Sequence, residues 1–119
     1  MTTRIIDDRK AGLIVGYNAT DWAEPMSFDN YQELVKDWDI TAIERDGQVI
    51  GAVYRKGDEL HVSVLPEWRR LWVTKGVLRQ LFSPPKVTTR VTPGHEFMFD
   101  ILRRLGFKDT NDGLLVKEN

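Results

Sequence analysis

The sequence predicts one α/β domain of the α+β kind, in which helices cover both faces of a mixed central sheet. Runs rich in β-branched residues alternate with runs whose apolar residues recur at helical spacing. Tight turns join the early strand-like runs, which favours antiparallel pairing. Later, a helical run separates two strand-like runs, which favours a parallel pair. A chain of 119 residues has the length of a single domain.

The first third of the chain is predicted to supply one strand and one helix. The apolar run from Ala11 to Tyr17 is short and ends at polar residues, as buried strands do. Ser27 is a suitable N-cap for a helix from Phe28 to Trp38, where apolar residues recur at helical spacing. The simplest role of that apolar stripe, which includes Tyr31, is packing against the core.

Three strands follow as an antiparallel meander, over Ile40 to Arg45, Gln48 to Arg55 and Glu59 to Leu65. The dipeptide Asp46-Gly47 tolerates positive φ at both turn positions, so it favours a tight type I′ hairpin between the first two strands.

The third of these strands alternates between two kinds of side chain, so its two faces differ. Pro66 ends it, because proline cannot donate to the ladder. The residues of one face are Leu60, Val62 and Val64, and those of the other are His61 and Ser63.

The second half of the chain is predicted as helix, strand, helix and hairpin. The helices run from Glu67 to Phe82 and from His95 to Leu105, and the strand from Lys86 to Thr92. The crossover within Leu60 to Thr92 makes its two strands parallel neighbours. Gly106 is placed to close the second helix in a left-handed conformation. The last hairpin comprises Phe107 to Thr110 and Leu114 to Lys117.

Composition narrows the function before any motif is considered. The chain has no cysteine, which excludes disulfides, thiol nucleophiles and cysteine-ligated metals. Its two histidines, His61 and His95, exclude a three-histidine zinc site, and the acidic residues lack metal-ligand spacing, so no metal is predicted. A net charge of −1 argues against nucleic acid as a partner.

The apolar runs of the chain are all short. None approaches the roughly 20 residues of a membrane span, and acidic residues interrupt the N-terminal segment. We therefore expect neither a span nor a secretory leader, and a soluble, cytoplasmic protein.

Two stretches carry a resemblance to a known family. One is LHVSVLPEWRRLWVTKGVLRQLF, residues 60–82, and the other is VTTRVTPGHEFMFDILRRLGF, residues 87–107. With the order of elements, they resemble the GNAT superfamily of acyl-CoA-dependent N-acyltransferases over about residues 40–117. The segment from Arg69 to Lys75 is similar to short phage-encoded members with a degenerate CoA-binding motif. The matching positions are Val64, Pro66, Arg69, Leu78, Leu81 and the closing Leu105-Gly106-Phe107.

The resemblance implies a binding slot for acetyl-CoA. The parallel strands within Leu60 to Thr92 would splay apart, and the strand around Val62, Ser63 and Val64 would pair with the pantetheine arm. Free amides at the start of the following helix would hold the diphosphate. The residues implied for that second role are Arg69, Arg70, Leu71, Trp72, Val73, Thr74 and Lys75.

Two family features are missing from this sequence. Trp72 and Thr74 stand at the glycine positions that normally let phosphates approach the backbone. A packed indole buries about 150–250 Å², so Trp72 should line the slot, fill it or meet a partner. Leu102 stands where a proton-donating tyrosine is usual, so the general acid is missing unless His95 or Tyr54 replaces it.

Three residues are the catalytic candidates. His61 shares a strand face with Ser63, and an imidazole suits the deprotonation of an ammonium substrate near neutral pH. By the resemblance, His95 opens a helix beside the expected thioester.

Two functions remain open at this stage. One is an acetyl-CoA-dependent N-acetyltransferase, in which an amine or a protein acceptor attacks the thioester directly. The other is a catalytically silent GNAT-like phage protein, located in the host cytoplasm or the virion, that binds a host protein through Trp68, Trp72 and Arg79. A second copy of the chain could also cover these tryptophans in a homodimer.

Overall fold

The computed structural model describes residues 3–20, 24–69, 71–91, 96–110 and 113–119, and these form one seven-stranded sheet with helices on both faces. The strands are β1 (Thr3–Ile6), β2 (Asp39–Arg45), β3 (Gln48–Lys56), β4 (Glu59–Val64), β5 (Lys86–Thr89), β6 (Lys108–Asp109) and β7 (Leu115–Glu118). The helices are α1 (Arg9–Ala19), α2 (Phe28–Leu34), α3 (Lys75–Leu81) and α4 (Phe97–Arg104), and a 3₁₀ turn spans Pro66–Trp68.

The sheet is mixed, as predicted, in the order β1-β2-β3-β4-β5-β7-β6. Strands β1 to β4 pair antiparallel, β4 and β5 pair parallel, and β5, β7 and β6 pair antiparallel. The turn between β2 and β3 has φ values of 52° at Asp46 and 81° at Gly47, which confirms the predicted positive φ at both positions. Gly106, at φ 100°, follows α4 in the left-handed conformation predicted for it.

The strand predicted over Ala11 to Tyr17 is wrong, because these residues lie in helix α1. Asp8 caps the helix by accepting a hydrogen bond from the Ala11 amide at 3.0 Å. Gly12 and Gly16 lie four residues apart on the buried side, so the helix packs closely on the sheet. The strand before it is β1, which the sequence analysis missed.

The helix predicted from Glu67 to Phe82 is only half correct. Its first part is the 3₁₀ turn followed by a bent loop, and α3 begins at Lys75. Thr74 Oγ1 accepts from the Val77 amide at 3.3 Å, so this residue caps the helix instead of continuing it. Trp72 turns into the core before the helix starts, with 5% of its surface exposed.

Three other predicted elements are present in the structure but are shorter than predicted. Helix α2 ends at Leu34 and not at Trp38, because a turn follows at residues 35–37. Strand β5 ends at Thr89, and the predicted end of that strand at Thr92 lies outside the described residues. Helix α4 begins at Phe97, and His95 also lies outside the described residues.

Two apolar clusters hold the helices on opposite faces of the sheet, which confirms the predicted layers. The larger cluster packs α3 and α4 through residues such as Val77, Leu81 and Leu102. The smaller cluster packs α1 and α2 through residues such as Leu13 and Tyr31. Within the described part of the chain, no helix is long and apolar enough to cross a membrane.

Candidate active site

Strands β4 and β5 are paired at one end and separate at the other. Their parallel register joins Glu59 to Thr88. The Thr88 amide donates to Asp58 O at 2.8 Å, and Thr89 Oγ1 donates to Leu60 O at 2.7 Å. β5 ends there, whereas β4 continues to Val64. A slot therefore opens between the strands beyond Leu60, where the sequence placed the splayed pair.

The backbone of β4 presents an edge to this slot. On its other side, β4 pairs with β3 along its whole length, as far as Gly51 opposite Val64. Backbone groups of successive strand residues point to alternate sides, and Leu60 O points toward β5. The backbone N–H and C=O groups of Val62 and Val64 therefore also point to the side of β5, at positions where β5 no longer pairs with β4. An extended arm with amide groups could pair with this edge.

An inner cavity of about 70 Å³ lies beside the slot, on the face covered by α3 and α4. Its walls are mainly apolar and include Val62, Val64, Trp72, Met98 and Leu102. Trp72 packs in the larger core cluster beside this cavity, which agrees with a ring that lines the slot and equally with one that fills it. The ring is not exposed to a partner.

An outer cavity of about 420 Å³ lies on the opposite face, beneath α1 and α2. Val62 and Arg90 line both cavities, so the two cavities are neighbours on either side of these residues. His61 and Ser63 share one face of β4, and both line the outer cavity together with aromatic residues of other elements. Its lining comprises Thr20, Tyr31, Leu34, Val35, Trp38, Tyr54, His61, Val62, Ser63 and Arg90.

A chain of three hydroxyl groups lines the floor of the outer cavity. The hydroxyls of Tyr31 and Tyr54 are hydrogen-bonded to each other, and the Tyr54 hydroxyl is also hydrogen-bonded to Ser63. Burial is the largest cause that raises the pKa of both phenols above the usual tyrosine value. For Tyr31, the hydrogen bond to Tyr54 raises the pKa further. For Tyr54, the hydrogen bonds to Tyr31 and Ser63 lower the pKa and partly oppose the effect of burial. Both phenols are therefore protonated near neutral pH.

His61 stands at the mouth of the outer cavity, beside an acidic neighbour on the same strand face. Its Nε2 lies 2.5 Å from Glu59 Oε2, and its ring centroid lies 5.5 Å from that of Trp38 at an interplanar angle of 58°. The carboxylate fixes the orientation of the imidazole, which leaves Nδ1 as the second ring nitrogen for proton transfer.

The segment predicted to bind the diphosphate is a loop as far as Thr74, and only its last residue, Lys75, lies in the first turn of a helix. The Arg69 guanidinium donates to Val64 O and Ala19 O, each at 3.4 Å, so it braces the end of β4 against the end of α1. Leu71 is 53% exposed, and Val73 packs partly against the core. Arg70, like His95, lies outside the described residues, and nothing in the structure tests the predicted diphosphate contacts.

Sequence reasoning missed part of the site. Tyr31 and Trp38 were assigned to an ordinary core stripe, and neither Thr20 nor Arg90 was singled out. Only the alternation on β4 pointed to this face, since it placed His61 and Ser63 together. Among the described residues, no group of three histidine, aspartate or glutamate side chains could hold a metal ion.

Comparison with solved structures identifies the architecture. No known protein-family profile matches the sequence, and no curated protein is significantly similar to it. By contrast, 86 chains of solved structures match. They include the ribosomal-protein-S18-alanine N-acetyltransferase of Escherichia coli, 14% identical, with a TM-score of 0.67 over 98% of this chain and 94% of that one.

Two further matches have the same character. The PaiA N-acetyltransferase of Thermoplasma acidophilum, solved with coenzyme A, is 15% identical, with a TM-score of 0.62 over 100% of each chain. A GCN5-related N-acetyltransferase of Rhodopseudomonas palustris is 12% identical, with a TM-score of 0.60 over 99% of this chain and 95% of that one. The protein therefore has the GNAT fold, as the sequence resemblance indicated. At these identities, the likeness establishes the fold alone.

Proposed function

We propose that the protein is an N-acetyltransferase that moves an acetyl group from acetyl-CoA to an amine. The observation that carries this proposal is the edge of β4 at Val62 and Val64, which pairs with no strand among the described residues and lies between an apolar cavity and a polar cavity, both of which Val62 lines. A donor and an acceptor could therefore approach one backbone position from opposite faces of the sheet.

The slot suits the arm of an acyl-CoA. A pantetheine arm carries amide groups at peptide-like spacing, which can pair with the backbone of Val62 and Val64 as a further strand would. The loop from Arg69 to Thr74 follows β4 after the 3₁₀ turn and, with Lys75 at the start of α3, would take the diphosphate. Because this loop is not helical, the positive charges of its side chains would contribute more to binding the diphosphate than a helix dipole would.

Acetyl-CoA supplies a thioester whose carbonyl carbon accepts the amine. A backbone N–H of β4, at Val62 or Val64, would polarise the carbonyl oxygen. His61, oriented by Glu59, would take the proton of the incoming ammonium, directly or through water. The C–N bond forms as the C–S bond breaks, and the released thiolate takes up a proton.

The hydroxyl chain is the proposed relay for that proton. Leu102 lines the inner cavity and has no proton to donate. Ser63 lies in the outer cavity next to Val62 and is hydrogen-bonded to Tyr54, so it would pass a proton to the thiolate and regain one through this chain. The net source is the proton that His61 takes from the ammonium, because burial keeps the phenols protonated. His95 remains the alternative donor that the sequence suggested.

One observation favours the silent binding protein instead. The inner cavity measures only about 70 Å³ beside Trp72, so this side of the slot is narrow. Trp72 itself cannot provide the surface of such a protein because it is buried, and Trp68 is half-buried with the Arg45 guanidinium 5.8 Å from its ring centroid.

Titration calorimetry with acetyl-CoA separates the two functions. The transferase should bind acetyl-CoA with micromolar affinity, and mass spectrometry should detect acetylated products from a panel of amines. No heat at millimolar acetyl-CoA would contradict the proposal. Trp72→Phe keeps an aromatic ring but frees space, and Trp68→Phe is its matched control. Binding that appears only in Trp72→Phe would mean that the indole closes the slot in the natural protein.

A further inference from the structure

The outer cavity has the size and walls of a small-molecule site. Its volume of about 420 Å³ falls within the range of roughly 300–1,000 Å³ that is typical of such sites. Trp38 and His61 form one wall with their rings 5.5 Å apart, and the buried rings of Tyr31 and Tyr54 form the floor. Aromatic surfaces in this arrangement favour a flat apolar group.

The rim of this cavity extends the apolar wall. Leu34 and Val35, at the end of α2, line it above the aromatic floor, and Leu34 is 63% exposed. Arg9 Nη1 donates to Trp38 O at 2.5 Å, and Nη2 donates to Val35 O at 3.3 Å. The turn that carries Trp38 is therefore fastened to α1, and the wall is held in place.

The charges around the cavity limit which amine can enter. A cation lies near the Trp38 wall, because Lys56 Nζ lies 5.9 Å from the Trp38 ring centroid. No carboxylate is among the described residues that line the cavity, and the nearby Glu59 is paired with His61. A second ammonium group in the ligand would meet no carboxylate among the described lining residues and would lie near the Lys56 ammonium if it approached Trp38.

Hydroxyl groups also line the cavity. Ser63, Tyr54 and Thr20 supply them, and Ser63 follows Val62 directly on β4. A single amino group can lie between His61 and Ser63, next to Val62, while an apolar group contacts Trp38 and the phenol rings. We propose that the acceptor is a small monoamine with a flat, apolar group, and that polyamines and large polar amines are excluded. This inference rests on the proposed function, because the outer cavity holds an acceptor only if the slot holds an acyl donor.

The test measures amine binding to the full-length protein without acetyl-CoA. We expect saturable binding of 2-phenylethylamine by calorimetry or saturation-transfer NMR, and binding of spermidine at least about tenfold weaker. Trp38→Leu should weaken 2-phenylethylamine binding about tenfold, whereas Trp38→Phe should retain most of it. Trp68→Leu is the matched control outside the cavity and should leave binding unchanged. Thermal melts establish that each variant is folded.

Three results would overturn the inference: spermidine binding as tightly as 2-phenylethylamine, unchanged affinity in folded Trp38→Leu, or no amine binding to a protein that binds acetyl-CoA. The last result would leave the proposed function intact and move the acceptor elsewhere. Amine binding at Trp38 by a protein that does not bind acetyl-CoA would overturn the proposed function, and would leave the outer cavity as an amine-binding site.

Discussion

Substituting Gly16→Ala should force the Tyr54 hydroxyl out of its network. A Cβ at Gly16 would lie 1.8 Å from Tyr54 Oη and 2.9 Å from Cζ, and 3.1 Å from Ala52 Cβ on another side. These distances are shorter than van der Waals contact. The phenol must therefore move, and its hydroxyl must leave Tyr31 and Ser63.

The magnitude follows from the contacts that are lost. Two hydrogen bonds between neutral groups contribute about 1 kcal/mol each, and overpacking costs about 1–3 kcal/mol. Alanine is favoured over glycine in a helix by about 0.5–1 kcal/mol, which offsets part of the loss. We therefore expect the free energy of unfolding to fall by about 2–4 kcal/mol in Gly16→Ala.

Urea unfolding measures this loss, and a double-mutant cycle tests its cause. Tyr54→Phe removes the colliding hydroxyl, so Gly16→Ala should cost at least about 1 kcal/mol less in that background. Gly76→Ala is the matched control, because a Cβ there meets nothing within 4 Å, and it should stabilise α3 by up to about 1 kcal/mol. The reasoning fails if Gly16→Ala is as harmless as Gly76→Ala, or if its cost is the same with and without the Tyr54 hydroxyl.

Further predictions concern the supports of the site. Arg9→Ala should lower the free energy of unfolding in urea by about 1 kcal/mol, because it releases the turn that carries Trp38. It should also weaken 2-phenylethylamine binding. A loss of stability with unchanged amine affinity would refute the link between this turn and the cavity. Asp8→Ala should cost about 0.5–2 kcal/mol by removing the cap of α1, and an unchanged urea midpoint would contradict this. Since burial raises the pKa of Tyr31 and Tyr54, their contribution to stability is present below the unfolded tyrosine pKa of about 10 and is lost as pH rises through the folded values. Ultraviolet absorbance should show these two phenols ionising only as the protein unfolds, and their ionisation in the folded protein would refute it.

The sequence predicted the antiparallel meander because its signals are local. Asp46-Gly47 has the conformation that the turn requires, and the alternation along β4 determines which side chains share a face. The run from Ala11 to Tyr17 was misassigned because seven apolar residues suit a buried strand or a buried helix. The local signal that distinguishes the two is Asp8, which caps the helix.

The site was less predictable than the fold because tertiary contacts make it. Periodicity assigned Trp72 to a helix face, whereas the chain bends and buries the ring before α3 begins. It assigned Tyr31 to the core, which is correct, but it could not show that the hydroxyl of this residue meets Tyr54 from another element. The pairing of β4 with β5 at one end only was implied by the family resemblance and by no pattern in these residues.

Amide spectra of the ¹⁵N-labelled protein test the central claim most directly. The claim is that the edge of β4 at Val62 and Val64 receives the arm of acetyl-CoA. Addition of acetyl-CoA should shift the Val62 and Val64 amide resonances, whereas that of Val116 on β7 should stay in place. If millimolar acetyl-CoA leaves the Val62 and Val64 resonances unmoved, the slot does not bind the donor and the account is contradicted.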